Sequence, residues 1–425
     1  MNQSTDPELF ESVQKELIRQ QSGLEMIPSE NFVSADVLKA LGSVLTNKYS
    51  EGHVGKRYYG GNKYIDEVEQ LAVDRAKKLF GVDHANVQPY SGSPANMAAY
   101  FALLDPGDTL MGMSLPFGGH MTHGLKVNFS AKFYRSVQYQ TNKDGWLDYD
   151  AIHDLAQKEK PKLIICGATA YPRIIDFAKL AEIAKSVDAF LLADIAHIAG
   201  LIIAGQHPSP VGLADVITTT THKTLRGPRG AMIMCNGNPS QPLKPAERTK
   251  ENLPTLVDRA IIPGLQGGPH NHQTAAIAVA LKEAGQPEFK AYGQQIVKNA
   301  KALANSLINQ GAELITNGTE NHLMVMDVTP FNTTGKQAEE LLDTVGITVN
   351  KNTVPFDERK PYDPSGIRLG TPALTSRGMV EADMTRIGEV IASLLKEPCN
   401  RTKKQAEDLV KELTGQHPLY PDLKY

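Results

Sequence analysis

The stretch Ala214–Gly230, ADVITTTTHKTLRGPRG, decides the reading of this chain. An apolar, β-branched run leads through four threonines to His222 and Lys223. β-Branched residues favour a pleated, half-buried surface, so 215–221 reads as a strand that ends beside a lysine. A second buried-looking run, FLLADIAHIAG at 190–200, reads as a strand over 190–194 that ends at Asp194. In open α/β sheets ligands sit beyond the carboxyl ends of the strands, where both residues fall.

An amine and a carboxylate in those positions suit a pyridoxal phosphate site. The cofactor aldehyde needs an amine to hold it as a Schiff base, and its pyridine nitrogen needs a carboxylate to keep it protonated. Taken singly, a lysine after a strand is usually a solvated loop charge and an aspartate there usually a helix cap. The pair carries more weight than either. Thr220 and Thr221 read as hydroxyl ligands for the phosphate or the phenolate oxygen, against the plainer reading of β propensity.

Composition narrows the rest. The chain has 425 residues, 41% hydrophobic and 21% charged, with a formal net charge of −3 and no long run of one sign. Neither a nucleic-acid footprint nor a membrane-attracted basic face is visible, so small molecules are the expected partners. The start, MNQSTDPELFESVQKELIRQ, is polar and acidic, without the basic and apolar regions of a signal peptide. The most hydrophobic segment, 189–205, carries Asp194 and His197 and is too short to span a bilayer. Cys166, Cys235 and Cys399 are widely separated and lack metal-ligand spacing, which points to a reducing compartment, the cytoplasm, and to no metal site.

Helical and strand patterns alternate. YIDEVEQLAVDRAKKLF, Tyr64 to Phe80, is one helical face. Strands are expected at 109–114, 133–138, 162–167 and 230–235, with a helix at 176–187, the βαβ rhythm of a mostly parallel sheet. Ser91, Gly92 and Ser93 stand where a further helix begins. Free N–H groups, two hydroxyls and the helix dipole could converge there on a phosphate, although an N-cap is the plainer reading. The proline-rich 236–262 reads as a surface excursion. Residues 271–309 read as helical, 312–396 as a separate α+β lobe, and 397–425 as one helix with an irregular end.

The ordered motifs IPSENF, LTNKYSEGHVGKRYYGG, NVQPYSGSPAN, GGHMTHG, DIAHIAGLI, TTTTHKTLRGPRG, PGLQGGP, ITVNKNTVPFD and SGIRLGTPA, within Leu24 to Leu395, resemble the serine hydroxymethyltransferase family. The resemblance implies an α/β fold of type I, a mostly parallel central sheet flanked by helices with a smaller C-terminal α+β domain. Its implied division is an arm and dimer-contact segment at 1–55, a cofactor domain at 56–275 and a small domain at 276–425. The implied activity is reversible transfer of a hydroxymethyl group from L-serine to tetrahydrofolate, giving glycine and 5,10-methylenetetrahydrofolate. It would proceed through a pyridoxal 5'-phosphate Schiff base on Lys223, in a homodimer or tetramer whose site lies at the subunit interface.

By the same resemblance, Asp194 would pair with the pyridine nitrogen and His120 would stack on the ring. Ser91, Gly92 and Ser93 would bind the phosphate, helped by Tyr49 and by the backbone of Gly267 and Gly268 from a neighbouring subunit. Thr169, His197, Thr220 and Arg229 would complete the cofactor site. Arg368 would hold the substrate carboxylate, with Ser29 and His197 nearby. Glu51 would be the acid/base group near the substrate hydroxyl and the folate. Tyr59 would contact the substrate, and His222 and Arg229 would tune reaction specificity. Leu115, Gly119, His120, Met121, Asn352, Lys360, Pro361 and Tyr362 would line the folate pocket.

Some positions depart from the family pattern. Tyr90 and Phe117 stand where histidine is common, Pro94 where glutamine or alanine is, and Pro172 where serine is. Tyr90 and Pro94 bear on the phosphate turn, and Phe117 on the folate strip. Two other functions fit part of the pattern: a folate-independent aldolase or transaminase on the same cofactor, and a binding protein on an enzyme scaffold. Glu51, Asn352 and the Leu115 to Met121 motif weigh against the first, and intact Lys223, Asp194, Glu51 and Arg368 against the second.

Overall fold

The computed structural model describes residues 5–236, 239–243 and 252–425. The chain divides into two compact units, one formed by Asn31–Gln294 and the other by residues up to Glu30 together with Gln295–Tyr425.

The Asn31–Gln294 unit is built on a seven-stranded sheet. Its order is His84–Asn86, Ala231–Cys235, Val216–Thr220, Phe190–Asp194, Leu163–Cys166, Thr109–Met113, Arg135–Tyr139. The last five of these are mutually parallel, and Ala231–Cys235 runs antiparallel to both of its neighbours. The mostly parallel sheet expected from the strand spacing is therefore present. Leu163–Cys166, Val216–Thr220 and Ala231–Cys235 are buried along their whole length. That explains their unbroken apolar or β-branched composition, because a strand covered on both faces has no solvent side to make polar. Chain order reverses around Thr109–Met113, which lies between Arg135–Tyr139 and Leu163–Cys166, and such a reversal opens a crevice at the carboxyl ends.

Helices cover the sheet. Lys63–Phe80 buries Ile65, Glu69, Ala72, Ala76 and Phe80, spaced at three and four residues, and stops at Gly81 in the left-handed region that glycine adopts without penalty. Gly92–Leu103 buries most of its second and third turns, with Ala98, Ala99 and Tyr100 fully enclosed.

One expectation is corrected. Of the stretch 236–262, residues 237, 238 and 244–251 lie outside the described residues, but its end is not a surface excursion. Leu253–Arg259 is a helix whose Asn252 side chain accepts from the Thr255 N–H, and Leu253, Val257 and Ile261 are buried in the core. Pro254 sits in the first turn, where a missing N–H costs nothing, so the proline that looked like a breaker starts a helix instead.

In the other unit, four antiparallel strands run Glu313–Leu314, Leu323–Asp327, Gly366–Gly370, Asn350–Asn352. They pack with Gly335–Asp343 and Glu381–Lys396 around a core that includes Met324, Met326, Ile367, Leu369 and Ile387. This is the α+β lobe expected over 312–396, and the expected terminal helix is Asn400–Gln416. The helix Pro7–Ser22 was not anticipated, because its polar composition hides an Asp6 cap and a proline at its first position. Leu24–Glu25 then pairs in parallel with Ile347–Thr348. Arg377 fastens this arrangement: its guanidinium donates to the carbonyls of Gly23 at 2.9 Å and Gln21 at 3.0 Å, and to that of His417 at 2.9 Å. It thus serves the carboxyl ends of two helices at once, where free carbonyls favour a cation.

Candidate active site

Strand ends at the carboxyl edge of the large sheet gather the residues singled out by the sequence. Thr109–Met113 leads into the segment carrying His120, Leu163–Cys166 into Thr169, Phe190–Asp194 into Asp194 and His197, and Val216–Thr220 into His222 and Lys223. Lys223 is half-buried, and its Nζ donates to Thr220 Oγ1 at 3.2 Å, so it is not a solvated loop charge. Thr169 donates to the Gly119 carbonyl at 2.8 Å, tying two of these strand ends together.

Asp194 divides its two oxygens. Oδ1 accepts from the Ala196 N–H at 3.1 Å, the local capping role. Oδ2 accepts from Asn96 Nδ2 at 2.8 Å and lies 3.1 Å from His123 Nε2. Burial alone would push this carboxyl up, but the hydrogen bond and charge of His123, with His120 and Asn96, hold it below the usual carboxylate range. It is therefore an anion across the physiological range. Thr218 Oγ1 donates to Asn96 Oδ1 at 2.6 Å, and Asn96 Nδ2 also reaches Thr122 Oγ1 at 2.9 Å, so the carboxamide that orients Asp194 is itself fixed.

Two imidazoles nearby are held neutral. Burial pushes His120 down to about 4, and its Nδ1 lies 2.7 Å from Thr122 Oγ1. Burial, then the charges of Lys223 and Arg229, push His222 down to about 3. His222 Nε2 is 3.4 Å from Arg229 Nη1, while its Nδ1 is buried without a hydrogen-bond partner among the described residues. Thr221 is corrected: its buried hydroxyl donates to the Pro228 carbonyl at 2.6 Å and is committed to shaping the lysine loop. Thr220, which receives Lys223, keeps a place at the site.

The Ser91–Ser93 turn is not a side-chain cap. Ser91 occupies the N-cap position of Gly92–Leu103, but its hydroxyl makes no capping hydrogen bond. A Cβ on Gly92 would lie 2.8 Å from Thr220 Cγ2, so glycine lets the turn approach the end of the strand that leads into Lys223. Pro94 falls in the first helical turn, where proline is tolerated, and offers no N–H to an anion. Tyr90 braces the turn from behind. Its N–H donates to Gln266 Oε1 at 3.0 Å, its hydroxyl to the Gly268 carbonyl at 2.8 Å, and its ring stacks on His270 at 4.0 Å. A carboxylate, an amine, a hydroxyl-bearing helix start and an orphaned imidazole nitrogen together fit a phosphorylated pyridine aldehyde.

Glu51 belongs to a second cluster of the same unit. Tyr49 donates its hydroxyl to Glu51 Oε1 at 3.1 Å, and the Tyr49 and Tyr59 rings meet edge to face at 4.9 Å. A Cβ on Gly267 would lie 3.1 Å from Glu51 Oε1, and one on Gly268 3.2 Å from Tyr49 Cζ. Arg57 pins the backbone on either side of Glu51, donating to the carbonyls of Ser50 at 2.9 Å and Gly52 at 2.8 Å. Its other nitrogens bind Asp66 and Glu69. Leu115 and Met121 are exposed beside Gly119, whose backbone runs too close to the Met113 carbonyl to admit a side chain.

In the other unit, Arg368 lies on Gly366–Gly370 opposite Asn350, and its Nε donates to Asn350 Oδ1 at 3.1 Å. Burial pushes this guanidinium down to about 10, so it stays cationic at neutral pH and gains from an incoming carboxylate. Ser29 precedes the end of the same unit's first segment. Asn352 donates to the Thr353 carbonyl at 2.7 Å, and Lys360 lies over the exposed Tyr362 ring, next to Pro361.

His123, Asn96, Thr122 and Thr218 were not singled out from the sequence. Signals existed: GGHMTHG carries a second histidine three residues after His120, and Asn96 follows Gly92 by one helical turn. Without the fold, neither spacing says which one faces Asp194.

Comparison with known proteins follows the same line. Residues 2–391 match the family model described as Serine hydroxymethyltransferase. A Desulfotalea psychrophila protein named serine hydroxymethyltransferase is 57% identical over 389 residues, 92% of this chain and 88% of that one. One of the same name from Acidothermus cellulolyticus is 54% identical over 423 residues, 98% of this chain and 96% of that one. The motifs, the fold and these matches agree, and the chain belongs to the serine hydroxymethyltransferase family.

Proposed function

We propose that the protein transfers a hydroxymethyl group reversibly from L-serine to tetrahydrofolate, giving glycine and 5,10-methylenetetrahydrofolate. The observation that carries this reading is the pairing of Lys223 with an ionised Asp194 at neighbouring strand ends, in a chain that matches this family over nearly its whole length.

Pyridoxal 5'-phosphate, when bound, supplies an aldehyde that captures amines and a protonated ring that draws electrons from the substrate's α-carbon. Lys223 provides the amine that holds it. The Asp194 carboxylate would keep the cofactor's pyridine nitrogen protonated, and the neutral His120 ring would pack against it. Ser91, Gly92 and Ser93 would bind the phosphate, helped by Tyr49 and by the backbone of Gly267 and Gly268 from a neighbouring subunit, while Thr169, His197, Thr220 and Arg229 would line the remainder. Arg368, with Ser29, would hold the serine carboxylate, the role that the family resemblance gives it. Glu51 moves the proton of the serine hydroxyl, and Tyr59 and His222 bound the reacting group. Leu115, Gly119, Met121, Asn352 and Lys360 to Tyr362 hold the folate.

The exposed rings of Tyr49, Tyr58 and Tyr59 around Glu51 support a homodimer in which this cluster serves the partner's site. Three unbridged cysteines support a cytoplasmic setting. The test is glycine and methylenetetrahydrofolate formation from serine with and without tetrahydrofolate. Strict dependence on folate is expected. Cleavage indifferent to folate would make the protein an aldolase instead.

A further inference from the structure

A groove of about 600 Å³, whose lining shares no residue with the strand-end site, lies between the helices Lys63–Phe80, Asn271–Ala284 and the start of Pro287–Asn309. Four cations line it: Arg75, Lys78, Lys282 and Lys290. Arg75 donates to the Ala278 carbonyl at 2.6 Å, and none of the four forms an ion pair with a carboxylate among the described residues. The chain as a whole carries a net charge of −3, so this local excess of positive charge is not a reflection of composition.

Part of the excess has a structural explanation. Lys78 and Lys282 stand in the last turns of their helices, where the helix dipole welcomes cations. Lys290 does not fit that explanation. It lies near the start of Pro287–Asn309, the positive end of a 23-residue helix, where a cation is disfavoured. The groove wall between the charges is apolar, formed by Leu79, Ile203 and Leu281. Its volume lies within the range typical of sites for small organic ligands.

We propose that this groove binds a small molecule carrying two or more negative groups on an apolar body, at a site separate from the one at the strand ends. Unpaired cations at the rim hold the anionic groups, and the apolar wall takes the body. Two features of the ligand are therefore needed together, charge and carbon surface.

The test uses the cofactor-loaded protein with saturating glycine, so that the phosphate and carboxylate sites at the strand ends are filled, and benzene-1,3,5-tricarboxylate as the probe, followed by calorimetry. Binding is expected, weakening as salt rises because exposed charges are screened. Reversing two cations in Lys78→Glu/Lys290→Glu should weaken it about tenfold or more, at roughly fivefold for each exposed pair lost. Serine turnover without the probe should stay unchanged. If that variant does not fold, Lys78→Gln/Lys290→Gln removes the charges without reversing them and should weaken binding in the same direction. Failure of the probe to bind, undiminished binding to the variants, or equally tight binding of inorganic sulfate would each overturn the proposal.

Discussion

Replacing His123 with phenylalanine removes the imidazole that lies 3.1 Å from Asp194 Oδ2 in a buried setting. A hydrogen bond to a charged group contributes about 1.5–3 kcal/mol. Since one pKa unit corresponds to about 1.4 kcal/mol, its loss should raise the Asp194 carboxyl by about one to two units. Burial, no longer opposed by His123, acts in the same direction. The ionised carboxylate is the form that pairs with a protonated pyridine nitrogen, so cofactor affinity should fall on the acid side first. The assay is titration of cofactor-free protein with pyridoxal phosphate from pH 5 to 8, read by fluorescence. Wild type should hold its affinity to the lowest pH, whereas in His123→Phe the lost hydrogen bond and unopposed burial act together, so affinity should begin to fall within this window, toward pH 5. His123→Gln, which keeps a donor of similar reach, should recover part of the difference. Affinity as constant from pH 8 to pH 5 in His123→Phe as in wild type would show that His123 does not govern the charge of Asp194.

Other substitutions reach different parts of the chain. Lys223→Ala should abolish repeated turnover, and borohydride reduction of the loaded protein should no longer leave label on that peptide; steady turnover in this variant would remove Lys223 from its role. Arg368→Ala should raise the serine KM by about one to two orders of magnitude, the equivalent of about 1.5–3 kcal/mol, and an unchanged KM would count against a carboxylate contact. Glu25 is a stability probe: burial, then the charge of Glu30, pushes its carboxyl up to about 8. A carboxyl raised in the folded state contributes stability that is complete below its ordinary value of about 4.5 and is lost as pH rises through 8. Glu25→Gln keeps an oxygen for the Ile27 N–H and should melt higher than wild type at pH 8.5, with the advantage shrinking toward pH 5. A constant difference at both pH values would refute the titration.

How much could be read from the sequence depended on whether the deciding physics was local. Val216–Thr220 and Phe190–Asp194 were legible because a fully buried strand has to be apolar or β-branched along its length, and the first charge after it marks its end. The SGS turn was legible as a helix start, but not as one whose hydroxyl is left out of the cap. Proline density misled at 252–262, since Pro254 in a first turn promotes the helix that the same residue would break further on. Thr221 and Thr220 look alike in the sequence. Which hydroxyl faces the Lys223 amine and which closes onto Pro228 depends on the turn between them. His123 and Asn96 were beyond reach for a longer-range reason, because their meeting at Asp194 joins residues 71 and 98 positions away along the chain.

The clasp made by Arg377 has a consequence for biogenesis. The helix Pro7–Ser22 is translated before Asn31–Gln294, yet the guanidinium that donates to the carbonyls at its end, and the strand that Leu24–Glu25 joins, are translated only after all of Asn31–Gln294. At about 5–20 residues per second, the interval from Ser22 to Arg377 is roughly twenty to seventy seconds. For that time the leading segment has no native partner, and the nascent chain must keep it soluble on its own polar surface. The acidic and amide-rich composition of that helix, which obscured it in the sequence, is what an early-emerging, late-docking segment requires.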